Sequence, residues 1–119
     1  MAHCTLSHIE IPSPDLQKAM AFYSEVFGWK SEMVMEKYAV FSIGDTGTGG
    51  GFDASLTPAP EKTGPQLVIS VDSIEKVLPL IRAKGGTVTK EKTDIGDNYG
   101  FYACFTDPNG NHMQVHAMK

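Results

Sequence analysis

The 119-residue sequence predicts an α+β fold built from two βαβββ modules of similar length. The first observation is a repeated spacing: Asp15 precedes Gly28 by 13 residues, and Asp72 precedes Gly85 by 13 residues. Each pair brackets a predicted helix. The second observation is that β-prone segments lie on both sides of each helix. Neither module buries its sheet face well alone, so we expect the two to pack together.

Module one, residues 1–57, begins with a strand over 5–12, where polar and apolar residues alternate up to a proline. Ser13 is the predicted N-cap of the helix, Pro14 its first residue and Gly28 its C-cap. The apolar stripe of this helix consists of Leu16, Ala19, Met20, Tyr23, Val26 and Phe27. Three further strands are predicted at 29–36, 38–43 and 50–56.

A breaker-rich linker, residues 58–64, separates module one from module two, residues 65–119. In module two the helix is capped by Asp72 or Ser73 and ends at Gly85-Gly86. Its strands are predicted at 66–71, 87–91, 99–106 and 111–118, with a loop at 93–98. The chain is therefore interpreted as one domain of two modules.

The last two strands form a predicted hairpin around the turn Asp107-Pro108-Asn109-Gly110-Asn111, which is dense in turn-forming residues. Beyond the turn the side chains alternate between two faces of the strand. One face carries Met113, Val115 and Ala117, and the other carries His112, Gln114 and His116. A row that is polar but uncharged suits the lining of a cavity better than an open surface.

The composition excludes several classes of function. The net charge is −4 and no basic run exists, so nucleic-acid binding is not expected. No apolar run approaches the length of a membrane span, and the amino terminus lacks the features of a signal peptide. These observations predict a cytoplasmic protein. In that compartment Cys4 and Cys104 are expected to be free thiols.

Two further features leave alternatives open. Trp29 is expected to line either a ligand pocket or a subunit interface. The aromatic cluster at 99–102, with glycines at 96 and 100 beside it, is either a lid over the cavity or part of the core. The glycines at 44, 47, 49, 50 and 51 match no nucleotide-binding fingerprint, and we interpret them as a mobile hairpin with close backbone approach.

The sequence resembles the vicinal oxygen chelate superfamily, which contains glyoxalase I, extradiol dioxygenases, and fosfomycin- and bleomycin-resistance proteins. The matching segments are residues 8–16, 21–23, 27–28, 71–72, 84–86 and 107–111. Within the superfamily, Gly49-Gly50-Gly51-Phe52 resembles the predicted enzymes related to lactoylglutathione lyase. The resemblance implies an open, cup-shaped mixed sheet with helices outside. It also implies a homodimer whose cavities are shared between subunits, with exchange of halves as an alternative arrangement.

The resemblance also implies a divalent metal inside the cup. It places donors at His8, Gln66 and Gln114, with a fourth near 52–54, where Asp53 carries a carboxylate. The amides at 66 and 114 are weak, neutral ligands where carboxylate or imidazole is usual. We therefore expect no tightly bound transition metal, and neither true glyoxalase I activity nor extradiol dioxygenase activity.

A shifted metal site is the alternative, since strand parity allows four side chains to point inward: His8, Glu10, His112 and His116. We favour the interpretation that these side chains only line the cavity, because polar residues on separate strands need not converge to the ~2 Å reach of a ligand. The predicted cavity lining is Glu10, Ser70, His112, His116, Trp29 and Tyr99.

Two functions follow from the resemblance. The first is a glyoxalase-related enzyme of unassigned reaction, acting on a small oxygenated metabolite. In it His8 serves as ligand or base, and Gln66 and Gln114 serve as ligands or hydrogen-bond donors to a substrate oxygen. The second is a metal-free protein that binds and sequesters a drug or metabolite, as bleomycin-resistance members do.

Overall fold

The computed structural model describes residues 4–119, and these residues form the two predicted βαβββ modules. Module one contains β1 (Ile9–Pro12), α1 (Leu16–Phe27), β2 (Lys30–Met35), β3 (Tyr38–Ile43) and β4 (Thr48–Asp53). Module two contains β5 (Val68–Ser70), α2 (Ile74–Ala83), β6 (Thr87–Asp94), β7 (Phe101–Thr106) and β8 (His112–Ala117). Neither helix is long and apolar enough to cross a membrane among the residues described.

Each module folds into its own four-stranded sheet. Sheet one has the order β1-β4-β3-β2 and sheet two the equivalent order β5-β8-β7-β6. Both sheets are mixed, since β1 runs parallel to β4 and β5 runs parallel to β8, while the other pairs are antiparallel. The predicted α+β class is confirmed. Within residues 4–119 no strand of one sheet pairs with a strand of the other.

The first strand of each module is shorter than predicted. β1 begins at Ile9 instead of residue 5, and β5 covers Val68–Ser70 instead of 66–71. Both are edge strands with a single partner, and the ladder with β4 extends only over four residues of β1. His8 therefore lies just before its strand.

The start of α1 also differs from the prediction. The backbone N–H of Ser13, one residue past the end of β1, donates to the Asp53 carbonyl at 2.9 Å, which holds Ser13 beside β4 and outside the helix. Asp15 is the N-cap instead, and its carboxylate accepts from the Lys18 N–H at 3.1 Å. Pro14 thus precedes the helix. Two predicted caps are confirmed, Ser73 at the start of α2 and Gly28 at the end of α1, whereas the C-cap of α2 is Lys84, one residue before the predicted Gly85-Gly86.

The two modules share one hydrophobic core, which lies on the helix side of each sheet. The rings of Phe22 and Phe27 on α1 each lie 5.9 Å from the ring of Phe105 on β7. Tyr23 stacks on Trp29 and Phe52 in module one. Because both sheets turn their helix-covered faces toward this core, the opposite, open face of each sheet points away from it.

Hydrogen bonds made by the turn at 107–111 join module two to module one. The Tyr23 hydroxyl donates to the buried Asp107 carboxylate at 2.7 Å, and the Asn111 side-chain amide donates to the Pro12 carbonyl at 2.6 Å. Asn109 accepts from the Asp15 N–H at 2.7 Å. The residues predicted as a hairpin turn are thus also the polar contact between modules.

Candidate functional site

The polar row predicted on the last strand is confirmed by its burial. Met113, Val115 and Ala117 on β8 are buried, whereas the intervening side chains of His112, Gln114 and His116 are partly exposed on the open face of sheet two. In register, Gln114 lies opposite Val68 on β5 and Cys104 on β7. His116 lies opposite Ser70 and Tyr102. Polar side chains therefore continue across three strands at His116, whereas Gln114 has Val68 and the Cys104 thiol beside it.

Gln66 and Gln114 lie together. The side-chain amide of Gln114 donates to the Gln66 side-chain oxygen at 3.4 Å, and the Gln66 amide donates to the Gly64 carbonyl at 3.3 Å. Gln66 reaches Gln114 because the backbone before β5 continues along β8, where the Gln114 N–H donates to the Leu67 carbonyl at 3.0 Å. Among residues 4–119 no protein group donates to the side-chain oxygen of Gln114, so this amide pair can accept a hydroxyl or N–H group.

A pocket of about 550 Å³ adjoins the amide pair, and we call it the sheet-two pocket. It is lined by Val68, Thr93, Asp94, Ile95, Tyr102, Gln114 and His116. A ring nitrogen of His116 lies 2.7 Å from the Tyr99 carbonyl oxygen. The sequence left open whether the aromatic residues at 99–102 form a lid over the cavity or part of the core. In the structure Tyr102 lines the pocket, Phe101 packs at the core, and Tyr99 is 67% exposed.

The open face of sheet one carries a second cluster around Glu10. The Tyr38 hydroxyl donates to the Glu10 carboxylate at 2.5 Å, and Nε2 of His8 lies 3.5 Å from the same oxygen. The Oγ of Ser7 lies 3.2 Å from Nδ1 of His8. The His8 and Glu10 side chains are 50% and 38% exposed, so this cluster is accessible to a ligand.

Gly51 explains how Tyr38 reaches Glu10. Glu10 pairs with Gly51 on β4, and Gly51 pairs in turn with Val40 on β3. The Tyr38 ring lies across Gly51, where an added Cβ would overlap the phenol. The interpretation of the glycine segment as a site of close approach is thus confirmed. The cluster was not predicted as a unit, although the glycine run was its signal.

We expect Tyr38 to ionise at unusually high pH. The hydrogen bond to Glu10, followed by burial and the Glu10 charge, raises the pKa of Tyr38 from 10.0 to about 12. Because the folded pKa is the higher one, this group's contribution to stability is present below pH 10 and is lost as the pH rises through 12. Glu10→Gln should bring the pKa of Tyr38 back toward 10.0.

The measurement is the difference in 295-nm absorbance titration between the wild type and Tyr38→Phe, which isolates this one of the four tyrosines. Glu10→Gln is then titrated in the same way against Glu10→Gln/Tyr38→Phe. An unchanged Tyr38 transition after Glu10→Gln would contradict the assigned cause.

Within one chain the predicted metal donors fall into two groups on two sheets. His8 contacts Ser7 and Glu10, whereas Gln66 and Gln114 contact each other. Among residues 4–119, no three His, Cys, Asp or Glu side chains come together. The donors of one chain, with two amides among them, therefore do not fit a transition-metal site, and the shifted set of His8, Glu10, His112 and His116 is divided in the same way.

Asp53, the fourth candidate, has local partners instead. Its carboxylate accepts from the Ser55 hydroxyl at 2.6 Å and from the Ser55 N–H at 2.8 Å. These bonds, the hydroxyl first, lower the pKa of Asp53. They hold the carboxylate at the carboxyl end of β4.

Trp29 does not line either open face. It is 7% exposed and stacks between Tyr23 and Phe41, with both ring centroids at 4.9 Å, because it follows the end of α1 directly and turns into the shared core. Its exposed edge borders a cleft of about 830 Å³ between the modules, which we call the intermodule cleft. Part of the cleft lining is apolar and includes Ile9, Ile11, Trp29, Phe41, Leu67 and Ile69.

Cys104 lies beneath the open face of sheet two, a position that the sequence reasoning did not assign to it. It is buried on β7 opposite Gln114, and burial, followed by the Glu61 charge, raises the pKa of its thiol. Both cysteines are free, as predicted, with Cys4 exposed.

Comparisons with known proteins agree with this architecture. Residues 5–115 match the family model of the Glyoxalase/Bleomycin resistance protein/Dioxygenase superfamily. A "Glyoxylase-like domain-containing protein" of Didymella fabae is 28% identical over 116 residues, covering 92% of this chain and 90% of the relative. A "Probable trivalent organoarsenical cleaving enzyme" of Bacillus subtilis is 32% identical, covering 94% of this chain and 79% of the relative.

A solved structure supports the fold alone. TnmS3, an antibiotic binding protein from Streptomyces, superposes with a TM-score of 0.73 at 19% identity, covering 98% of both chains. Proteins with this fold therefore include one described as binding an antibiotic.

Proposed function

Because the chain belongs to the Glyoxalase/Bleomycin resistance protein/Dioxygenase superfamily, we propose that it is a glyoxalase-related enzyme acting on a small oxygenated metabolite. One observation carries the proposal: the open faces hold a carboxylate–imidazole–phenol cluster on sheet one and an amide pair beside a pocket on sheet two. The first group supplies candidates for moving a proton, and the second supplies hydrogen bonds to a polar ligand. We place the enzyme in the cytoplasm.

We further propose that the site is completed by a second copy of the chain. The two open faces point away from the shared core, so one copy cannot close a cavity between them. β1 and β5 each leave one edge unpaired, and the intermodule cleft lies beside both strands. A homodimer that sets sheet one of one copy against sheet two of its partner covers these features.

In this arrangement His8 and Glu10 face the amide pair of the partner across the cavity. Glu10 accepts a proton or a hydrogen bond, and His8 lies 3.5 Å away to share it. Gln66 and Gln114 orient a substrate oxygen through their amides. Because Gln66 and Gln114 are neutral amides, which are weak ligands for a transition metal, the proposed chemistry relies on these side chains.

The test measures turnover of a panel of small hydroxy and oxo compounds by chelator-treated protein. Proton NMR is used to detect the products. His8→Ala and Gln114→Ala should each abolish turnover, and an equal mixture of the two variants should recover about a quarter of the wild-type rate. Half of the randomly mixed dimers would hold one intact site out of two. Tyr99→Phe is the matched control and should turn over normally.

Failure of the mixture to recover activity, at a dimer concentration confirmed by light scattering, would contradict the shared site. Full activity in both single variants would contradict the assigned residues.

The second candidate function is a metal-free binding protein that sequesters a drug or metabolite. The neutral Gln66–Gln114 pair favours it, because amides hold a polar ligand without reacting with it. In the same NMR experiment a sequestering protein would broaden or shift the resonances of a bound compound and leave it chemically unchanged. Chelator treatment would not alter its affinity.

A further inference from the structure

One wall of the sheet-two pocket is formed by Thr93 and Asp94 at the end of β6 and by Ile95, the first residue of the loop between β6 and β7. This loop, residues 95–100, contains two internal backbone hydrogen bonds. The Ile95 N–H donates to the Gly100 carbonyl and the Tyr99 N–H donates to the Gly96 carbonyl, both at 3.0 Å. Four of its residues have positive φ, namely Gly96, Asp97, Asn98 and Gly100. The loop is therefore a compact turn whose residues are linked to one another by hydrogen bonds.

His116 ties this turn to the sheet. Its ring nitrogen Nε2 lies 2.7 Å from the Tyr99 carbonyl oxygen, and a carbonyl can only accept. Nε2 must consequently carry the hydrogen, which leaves Nδ1 as an acceptor in the neutral ring. The loop thus fixes the orientation of the His116 ring, and His116 holds the loop against β8, while the Asp94 carboxylate holds it to the end of β6 by accepting from the Gly96 N–H at 2.8 Å.

Gly100 permits this close contact. A Cβ at position 100 would lie 2.6 Å from the Ala117 carbonyl oxygen and 2.9 Å from Nε2 of His116, and the φ of Gly100 is +89°. Only glycine combines that backbone conformation with such an approach. The contact between the loop and β8 therefore requires both glycine at position 100 and the His116 side chain.

We infer that the sheet-two pocket binds a small hydroxylated ligand with an apolar body, and that His116 is the positioning residue that fixes the loop wall of the pocket. The apolar surface comes from Val68, Ile95 and the Tyr102 ring. Acceptors for a ligand hydroxyl come from the Gln114 side-chain oxygen and the Asp94 carboxylate, one oxygen of which already accepts from the Gly96 N–H at 2.8 Å. The inference rests on the proposed function, since it names the ligand class of that site.

The first test concerns the wall. His116→Phe keeps a flat ring and removes the donor, whereas His116→Gln keeps an N–H donor at a similar reach. Loss of one hydrogen bond should speed hydrogen exchange at the Ile95 and Tyr99 amides roughly five-fold and speed chymotryptic cleavage after Tyr99 in His116→Phe. His116→Gln should restore both rates to near the wild-type values.

A matched thermal unfolding curve for each variant separates loop release from global destabilisation. Equal rates in wild type and His116→Phe, with unchanged stability, would overturn the positioning role.

The second test concerns the ligand, with 4-methylphenol as the probe and toluene as its control without a hydroxyl. Titrations followed by ¹⁵N–¹H NMR should shift Val68, Tyr102 and Gln114 resonances, with roughly five-fold tighter binding of 4-methylphenol. His116→Phe should weaken both probes, because the wall is no longer fixed. Equal affinity for the two probes, or shifts outside the pocket, would overturn the ligand class.

The two levels of the proposal fail separately. Turnover of panel compounds without binding of 4-methylphenol in the pocket would overturn this inference and leave the proposed function in place. Binding of 4-methylphenol in the pocket, with no turnover of any compound, would support this inference and count against the enzyme.

Discussion

Replacing Asp107 with alanine should destabilise the protein by about 4 kcal/mol, since it removes the hub of the contact between modules. The buried carboxylate accepts from the Tyr23 hydroxyl at 2.7 Å, from the Asn109 N–H at 2.9 Å and from the Asn111 N–H at 3.0 Å. It also accepts from the Asn111 side-chain amide. Alanine leaves the Tyr23 hydroxyl and the Asn111 N–H buried without an acceptor, which costs more than the bonds themselves contribute.

Urea unfolding at neutral pH measures the effect. Tyr23→Phe is the matched control, because it removes one donor and leaves no unsatisfied hydroxyl, and we expect a loss of about 1 kcal/mol. Asp107→Asn keeps one acceptor oxygen and should fall between the two. A loss below about 1 kcal/mol for Asp107→Ala would mean that water replaces the carboxylate, and the turn would then not be the fastening between modules.

Replacing Gly50 with alanine should cost about 3 kcal/mol or more, for a steric reason. A Cβ at position 50 would overlap the Ile9 carbonyl oxygen and would lie 2.8 Å from the Phe41 ring. Both neighbours are constrained, the first by the β1–β4 ladder and the second by the aromatic core. The expected result is detachment of β1, with faster hydrogen exchange at the β4 amides paired to it.

Gly47→Ala is the control for Gly50→Ala. Position 47 has open space around it and a φ of +78°, so alanine there meets only the cost of the left-handed backbone, about 1 kcal/mol. Urea unfolding compares the two variants. Similar losses at 47 and 50 would show that β1 shifts easily to admit a methyl group.

Much of this fold could be predicted because the signals are local. The Asp-Pro-Asn-Gly-Asn turn, the cap at Ser73 and the alternation along β8 each depend on neighbouring residues. The first residues of β1 and β5 were wrongly predicted at 5 and 66 instead of 9 and 68, since the length of an edge strand depends on its partner. The polar contacts of the turn likewise join residues 94 positions apart.

The candidate site shows the same division. Strand parity predicted the sheet face on which Gln114 and His116 lie. It could not predict their contacts with Gln66 and Tyr99, because those residues come from segments without regular structure. Trp29 carried no local signal to separate core from cavity. Tyr38 required knowledge that β4 lies between β1 and β3, which only the sheet order provides.

The fastening of one module to the other by the 107–111 turn has a consequence for the peptide that joins them. Ala59, at the start of that peptide, is already bonded to module two through the His112 N–H at 2.8 Å. The covalent connection after it mainly keeps the effective concentration of one half around the other high. A backbone nick between residues 61 and 64 would therefore leave the noncovalent geometry intact, and the two fragments could assemble from separate polypeptides.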